Sequence, residues 1–324
     1  MLHGARRFRR ARLVFGHGTA NARDEAAYLA LHALGLPLNA APALLGQPVS
    51  PRDARRVLGL FERRIRSRKP ASYLTGEAWL GDWCFHVDER AIVPRSHIAA
   101  LLRKNLAPWI FDRRAIKSTL DLCTGSGCLA VLLAHSFPRA RIDAADISPA
   151  ALAVAKINRQ RYKLGNRVRL VESDLFSALG GKYYDLIVCN PPYVTARSMR
   201  RLPREYRHEP RAALAGGRDG LDVVRRILAT ASGHLNPRGL LVVEVGAGRK
   251  TAEKAWPRLP FTWLDEDGGV FVLSREELEA DAPVPAARAK RATGGSRRGQ
   301  APGTARAAAA TATRPGRTAP ASAG

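Results

Sequence analysis

From residue 118 onward, short strand-length segments rich in apolar residues alternate with stretches whose apolar positions repeat every three to four residues. The runs at 118–123, 141–146, 167–171, 184–189, 240–245, 261–264 and 269–273 have the length and content of buried strands. Between them, 129–136, 149–162, 221–231 and 251–256 carry helical spacing. This alternation predicts an α/β fold with a doubly wound, parallel, Rossmann-like sheet of seven strands. Upstream, the pattern is helical. Thr19 or Asn21 can cap a helix on which Ala26, Leu29 and Ala33 share a side before Gly35 and Pro37 end it. Ser50 and Pro51 begin a second helix with Ala54, Val57, Leu58, Phe61 and Ile65 inward and Arg52, Arg55, Arg56, Arg63, Arg64 and Arg66 outward. Short strand-like runs at 72–75 and 84–87, separated by Gly76 and Gly81, predict a β-hairpin, and a further helix is expected around 98–106. The chain then divides into a helical region 1–70, a hairpin linker 71–96, an α/β domain 97–280 and a tail 281–324. The five arginines in residues 1–12 open almost inside a helix, as an upstream start codon would leave them.

Charge adds to this picture. The 324 residues carry 53 Lys and Arg against 28 Asp and Glu, a net charge of +25, so an anionic neighbourhood such as nucleic acid or a nucleoprotein particle is expected. An arginine-rich proteome is the competing explanation. The tail accounts for little of the charge: its eight basic residues against one acidic give +7, leaving +18 on the rest. With no aromatic residue and mostly Ala, Pro, Arg, Gly, Thr and Ser, 281–324 is expected to be disordered. Cys84, Cys123, Cys128 and Cys189 show no metal-binding spacing and read as reduced thiols. No run approaches the roughly 20 apolar residues of a membrane span. A soluble, cytoplasmic protein without a metal site or membrane partner is expected.

Two strand ends carry the chemistry. The first candidate strand runs into Asp121-Leu-Cys123-Thr124-Gly125-Ser126-Gly127-Cys128, whose glycines allow the backbone to close over a ligand. Asp146 ends the next strand at the distance from which an acid reaches ribose hydroxyls. The glycines alone fit NAD and S-adenosylmethionine equally. Asp121, four residues before Gly125, suits the amino-acid end of S-adenosylmethionine, and Ser173-Asp174 stands where an adenine amino group is read. The fourth strand ends in Asn190-Pro191-Pro192-Tyr193. Two prolines stop the strand, Asn190 and the Pro191 carbonyl offer two acceptors, and Tyr193 adds a ring. Two acceptors beside a ring suit a planar NH2 group, either a carboxamide or an adenine.

At these residues the chain resembles the class I S-adenosylmethionine-dependent methyltransferases, and within them the protein-(glutamine-N5) methyltransferases. The resemblance spans roughly 13–275 and includes Ile92-Val-Pro-Arg95, Glu209-Pro210-Arg-Ala-Ala-Leu214 and Gly216-Gly-Arg-Asp-Gly220-Leu. Of its two branches, the one acting on the large-subunit ribosomal protein L-three is favoured by Phe15-Gly-His-Gly-Thr19-Ala-Asn21 and by Ser96 and Ile98, although His97 and Ala100 depart from its usual proline and glutamate. The resemblance implies S-adenosylmethionine as cofactor and methylation of a glutamine in that ribosomal protein, free or in an assembling large subunit. Ribosomal RNA contact through the basic surface goes with that setting. The alternatives are a release-factor glutamine or an adenine N6. The implied catalytic residues are Asn190, Pro191 and Tyr193. The cofactor would be held by Asp121, Cys123, Thr124, Gly125, Ser126, Gly127, Asp146, Asp174 and Asn190, and the substrate by Asn190, Pro191, Pro192, Tyr193 and Glu209. His17 and His208 are expected to be structural, and residues 1–70 to recognise substrate.

Overall fold

The computed structural model describes residues 1–38, 46–265 and 269–280; the expectation of a disordered tail lies outside the described residues. Seven strands form one sheet: β3 Ser118–Leu122, β4 Arg141–Asp146, β5 Val168–Glu172, β6 Tyr184–Cys189, β7 Leu235–Glu244, β8 Thr262–Trp263 and β9 Val270–Ser274. A separate hairpin precedes them, β1 Glu77–Leu80 and β2 Trp83–His86. The sheet order is β5-β4-β3-β6-β7-β9-β8, so the winding reverses between β3 and β6, the place where open α/β sheets bind ligands. The sheet is not wholly parallel, because β9 runs antiparallel to both β7 and β8.

Side chains alternate across the sheet with the period of two that strand geometry imposes. Leu186 and Val188 of β6, Val242 of β7 and Val270 and Val272 of β9 join one core with the helices Ile98–Arg103 and Cys128–Ser136. Their neighbours Ile187, Cys189, Leu241, Val243, Phe271 and Leu273 join the opposite core with the helices Asp222–Leu228 and Arg275–Ala280. With both faces covered, the strands read in the sequence as continuous apolar runs.

The helical N-terminal region folds as Leu2–Arg10, Ala22–Leu34 and Pro51–Ser67 around Phe8, Leu29 and Phe61. Asn21, rather than Thr19, caps the second helix, accepting from the N–H groups of Arg23 and Asp24 at 2.9 and 3.0 Å. Two expectations for the third helix are corrected. Leu58 is exposed, and Leu60 takes its place inside. Arg64 does not join the outward basic face: it is fully buried, with its Nε 2.7 Å from Glu25 Oε1. A charge in that position is tolerated because its partner is buried with it. The hairpin is also shifted. Residues 71–75 form a short helix, Ala71–Thr75, which ends at Gly76 in the left-handed conformation, and the first strand starts only after that glycine.

Candidate active site

The carboxyl ends of β3, β4 and β6 surround a cavity of about 590 Å³. Asp121 is a carboxylate within a strand buried on both sides, and its Oδ2 explains why it is tolerated there. That atom accepts from Thr124 Oγ1 at 2.5 Å and from the Ala130 N–H at 2.9 Å. The first bond pins the loop and the second satisfies an otherwise unpaired N–H in the first turn of the helix Cys128–Ser136. Burial outweighs both bonds and raises the acid to about 7, and its Oδ1 has no partner among the described residues. Gly127 sits at φ +78°, and a Cβ there would lie 3.0 Å from the Ala155 Cβ, so the turn depends on glycine for both conformation and close packing.

Asp146 projects from the end of β4. Its two oxygens accept from Gly125 N at 2.8 Å and Ser148 N at 2.9 Å, which leaves acceptor capacity toward the cavity. Burial raises its pKa. Asp174 also borders the cavity but is exposed, and it accepts from Arg226 at 2.8 Å. Among the expected cofactor residues, Cys123, Gly125, Asp146, Asp174 and Asn190 line the cavity. Asp121, Thr124, Ser126 and Gly127 do not; they form the packed rear of the loop.

All four residues of Asn190-Pro191-Pro192-Tyr193 line the same cavity. The Asn190 Oδ1 is buried and has no hydrogen-bond partner among the described residues. A buried carbonyl without a donor is costly, so the atom is prepared to accept from a guest. No backbone N–H among the described residues donates to the Pro191 carbonyl in the loop and turn bonds. The Tyr193 hydroxyl donates to Glu244 Oε1 at 3.3 Å, and burial keeps the phenol protonated by raising its pKa. Glu244 Oε2 accepts from Ser96 Oγ at 2.6 Å and from His97 N at 2.9 Å. The carboxylate therefore ties the ring to the segment entering the α/β domain.

The opposite wall is the segment that follows. Val194 N donates to Leu214 O and Gly216 N to Val194 O, at 2.8 and 2.9 Å, which folds residues 209–216 back along the strand end. A Cβ on Gly216 would come within 2.6 Å of the Tyr193 Cα, which accounts for the glycine there. Glu209 is buried and does not line the cavity. Its oxygens accept from Arg95 at 2.5 and 2.8 Å and from Val93 N at 3.0 Å, with His17 Nε2 at 3.5 Å. Burial alone would raise this acid, but the hydrogen bonds and charge of Arg95, with the His17 ring close by, bring it down to about 2. Its neighbour Pro210 reaches the cavity in its place. His208 points away, with its Nε2 3.0 Å from the Ser67 carbonyl.

Sequence reasoning missed Glu244, the pairing of Arg95 with Glu209, and Arg226 beside Asp174. Arg95 and Glu209 stood in two separately recognised segments, 114 residues apart, and only the opposite signs beside prolines hinted at a pair. Glu244 follows the apolar run 240–243 at the carboxyl end of its strand, as Asp146 stands at the end of β4, which is the one local signal it carries.

Residues 100–204 match the family model described as the methyltransferase small domain. Three curated relatives bear the name ribosomal protein uL3 glutamine methyltransferase. That of Neisseria meningitidis serogroup B is 53% identical over 275 residues, covering 84% of this chain and 90% of the relative. That of Bordetella pertussis is 52% identical over 275 residues, covering 84% and 92%. That of Burkholderia pseudomallei is 49% identical over 290 residues, covering 86% and 94%.

Proposed function

The chain belongs to the ribosomal protein uL3 glutamine methyltransferase family, and from that membership we propose that it methylates the side-chain amide nitrogen, N5, of a glutamine in large-subunit ribosomal protein L-three, uL3. The observation that carries the reading within the fold is the unpartnered Asn190 Oδ1 on the cavity wall. S-adenosylmethionine, the methyl donor of this family, supplies an electrophilic methyl group when bound. The residues present fit it. Asp146 keeps acceptor capacity for ribose hydroxyls, Gly125 opens the loop, Asp174 borders the same space, and the cavity has the volume of a nucleoside-sized ligand. Asp121, Thr124, Ser126 and Gly127 act on that ligand through the loop they hold.

A carboxamide nitrogen is a weak nucleophile because its lone pair is delocalised into the carbonyl. Asn190 Oδ1 and the Pro191 carbonyl take the two N–H bonds and so turn the lone pair toward the cofactor side of the cavity. Tyr193 holds the amide plane, and Glu244 holds Tyr193. As positive charge grows on nitrogen, the two acceptors stabilise it, and near-attack placement recovers several kcal/mol of the barrier. The N-methylated amide then loses a proton without a dedicated base, since nitrogen is strongly acidic once alkylated.

Residues 1–70 present the substrate protein, 71–96 connect, and 97–280 perform the transfer. The substrate meets the enzyme free or in an assembling subunit, with ribosomal RNA near the basic surface. Among the described residues, no helix is long and apolar enough to cross a membrane. Incubation with methyl-labelled S-adenosylmethionine and, in parallel, ribosomal protein uL3, a peptide release factor and an adenine-containing oligonucleotide tests the assignment. Label is expected on a glutamine of uL3; exclusive labelling of either other substrate rejects it. Asp146→Ala is expected to weaken S-adenosylmethionine binding by about 1–3 kcal/mol, because two hydroxyls lose a charged acceptor. Calorimetric titration reads that change, and unaltered affinity would reduce Asp146 to a brace for Gly125.

A further inference from the structure

The arm that forms one wall of the cavity, residues 194–218, has two faces of different chemistry. Leu202, Tyr206, Pro210 and Leu214 line the cavity. The arginines of the same arm do the opposite. Arg197, Arg200 and Arg201, on the helix Ala196–Arg201, are exposed, as are Arg204 and Arg207 on the turn Arg204–His208, and Arg211 and Arg218 beyond it. None of the seven makes an ion pair or a side-chain hydrogen bond among the described residues.

The arm's two acids do not offset this charge, because each is turned inward onto a cation from elsewhere. Glu205 is buried against Arg68 at 2.8 Å, and Glu209 is buried against Arg95. The next acids along the chain, Asp219 and Asp222, are both held by Arg225. Glu89, beside His208, is held by Lys69. What the arm that walls the cavity presents to solvent is thus unrelieved positive charge on a fixed backbone. The backbone is fixed by Glu205 accepting from Val14 N, by the Val194–Ala215 bridge and by Tyr206 packed between His17 and Arg95. Like charges crowded on one face repel, so the arrangement destabilises the free protein unless an anionic partner covers it.

We propose that the exposed arginines of residues 197–218 are an RNA-binding rim that grips phosphates beside the cavity mouth, so that the glutamine is delivered by a ribosomal protein already in contact with RNA. The proposal rests on the function assigned above. RNA is favoured over an acidic protein because the substrate assigned above is a component of a ribonucleoprotein, in which the polyanion beside it is RNA. Arginine forks also match phosphate oxygens.

The test is binding of a fluorescent large-subunit ribosomal RNA transcript across a salt series. The parent chain is compared with a variant carrying Arg197→Gln, Arg200→Gln, Arg201→Gln and Arg204→Gln. A control variant, with Arg9→Gln, Arg52→Gln, Arg55→Gln and Arg63→Gln, loses the same charge from the N-terminal helices. For four lost phosphate contacts, the slope of log K against log salt in the rim variant should become shallower by about 3, with affinity about tenfold to 10²-fold lower at moderate salt. The control should lose clearly less. An unchanged slope in the rim variant, or equal losses in both, overturns the rim and leaves bulk charge as the cause. Displacement of the RNA by poly-glutamate as readily as by unlabelled RNA also overturns it, in favour of an acidic protein. Should the quadruple variant fail to fold, Arg207→Gln with Arg211→Gln and Arg218→Gln carries the same test, with a slope change of about 2. The parent chain's labelling of free uL3, measured separately, distinguishes failure of the assigned function from failure of the rim.

Discussion

Asn190→Ala lowers the rate of glutamine methylation by about 10² or more while S-adenosylmethionine binds nearly as well as before. The atom removed is the Oδ1 that has no partner among the described residues and sits on the cavity wall, so its energy is realised only when the substrate NH2 arrives. Losing it leaves the amide with one acceptor and free to rotate out of line. Asn190→Asp sharpens the result. It preserves size and one acceptor but introduces a carboxylate that must shed water in a buried site. Glutamine methylation should again fall strongly. Single-turnover rates with saturating cofactor, together with calorimetric affinity, separate the two quantities. Parental turnover by Asn190→Asp would end the idea that a neutral acceptor is matched to a carboxamide.

Glu209→Ala is expected to destabilise the protein by about 3–5 kcal/mol, the usual consequence of removing one partner from a buried ion pair. Arg95 loses its bidentate acceptor, and Val93 N loses the one acceptor it has among the described residues. The sign of the pH dependence follows from the shift. Glu209 goes from an ordinary 4.5 to about 2 in the fold, so its contribution is fully present above about 4.5 and disappears as pH falls toward 2. A depression of that size corresponds to about 3 kcal/mol. Asp121 has the opposite tendency, because its folded value near 7 makes its charge costly as pH rises from about 4. The comparison must therefore be parent against variant at each pH. Urea midpoints should differ widely at pH 7, draw together below about pH 4.5 and converge only near pH 2; a constant gap would show that Glu209 stabilises by packing rather than by charge. Activity should fall with stability, since Glu209 holds the arm that carries Tyr206 and Pro210 onto the cavity.

The sequence by itself determined the sheet and which strand ends carry polar groups onto the cavity. The alternation of strand-length and helix-length segments made β4 at 141–146 and β6 at 184–189 legible to the residue. Helix caps act locally, which is why Asn21 and Ser50 could be recognised as starts. The acceptor pair at 190–193 was legible because prolines and an asparagine constrain their own backbone and offer their own atoms.

Tertiary structure decided what depended on distant partners. A carboxylate at a strand end looks the same whether it lines the cavity, as Asp146 does, or braces a loop from behind, as Asp121 does; only the placement of Thr124 and Ala130 separates them. Helical spacing could not tell buried Arg64 from its exposed neighbours, because the deciding partner, Glu25, lies on another helix. Nor could it choose Leu60 over Leu58, since the buried stripe of this helix is turned toward Arg64, which joins it only through Glu25. The arm's division into an apolar wall and an arginine rim likewise exists only once Glu205 and Glu209 have found Arg68 and Arg95. Ion pairs between residues more than a hundred positions apart leave no periodic trace in the chain.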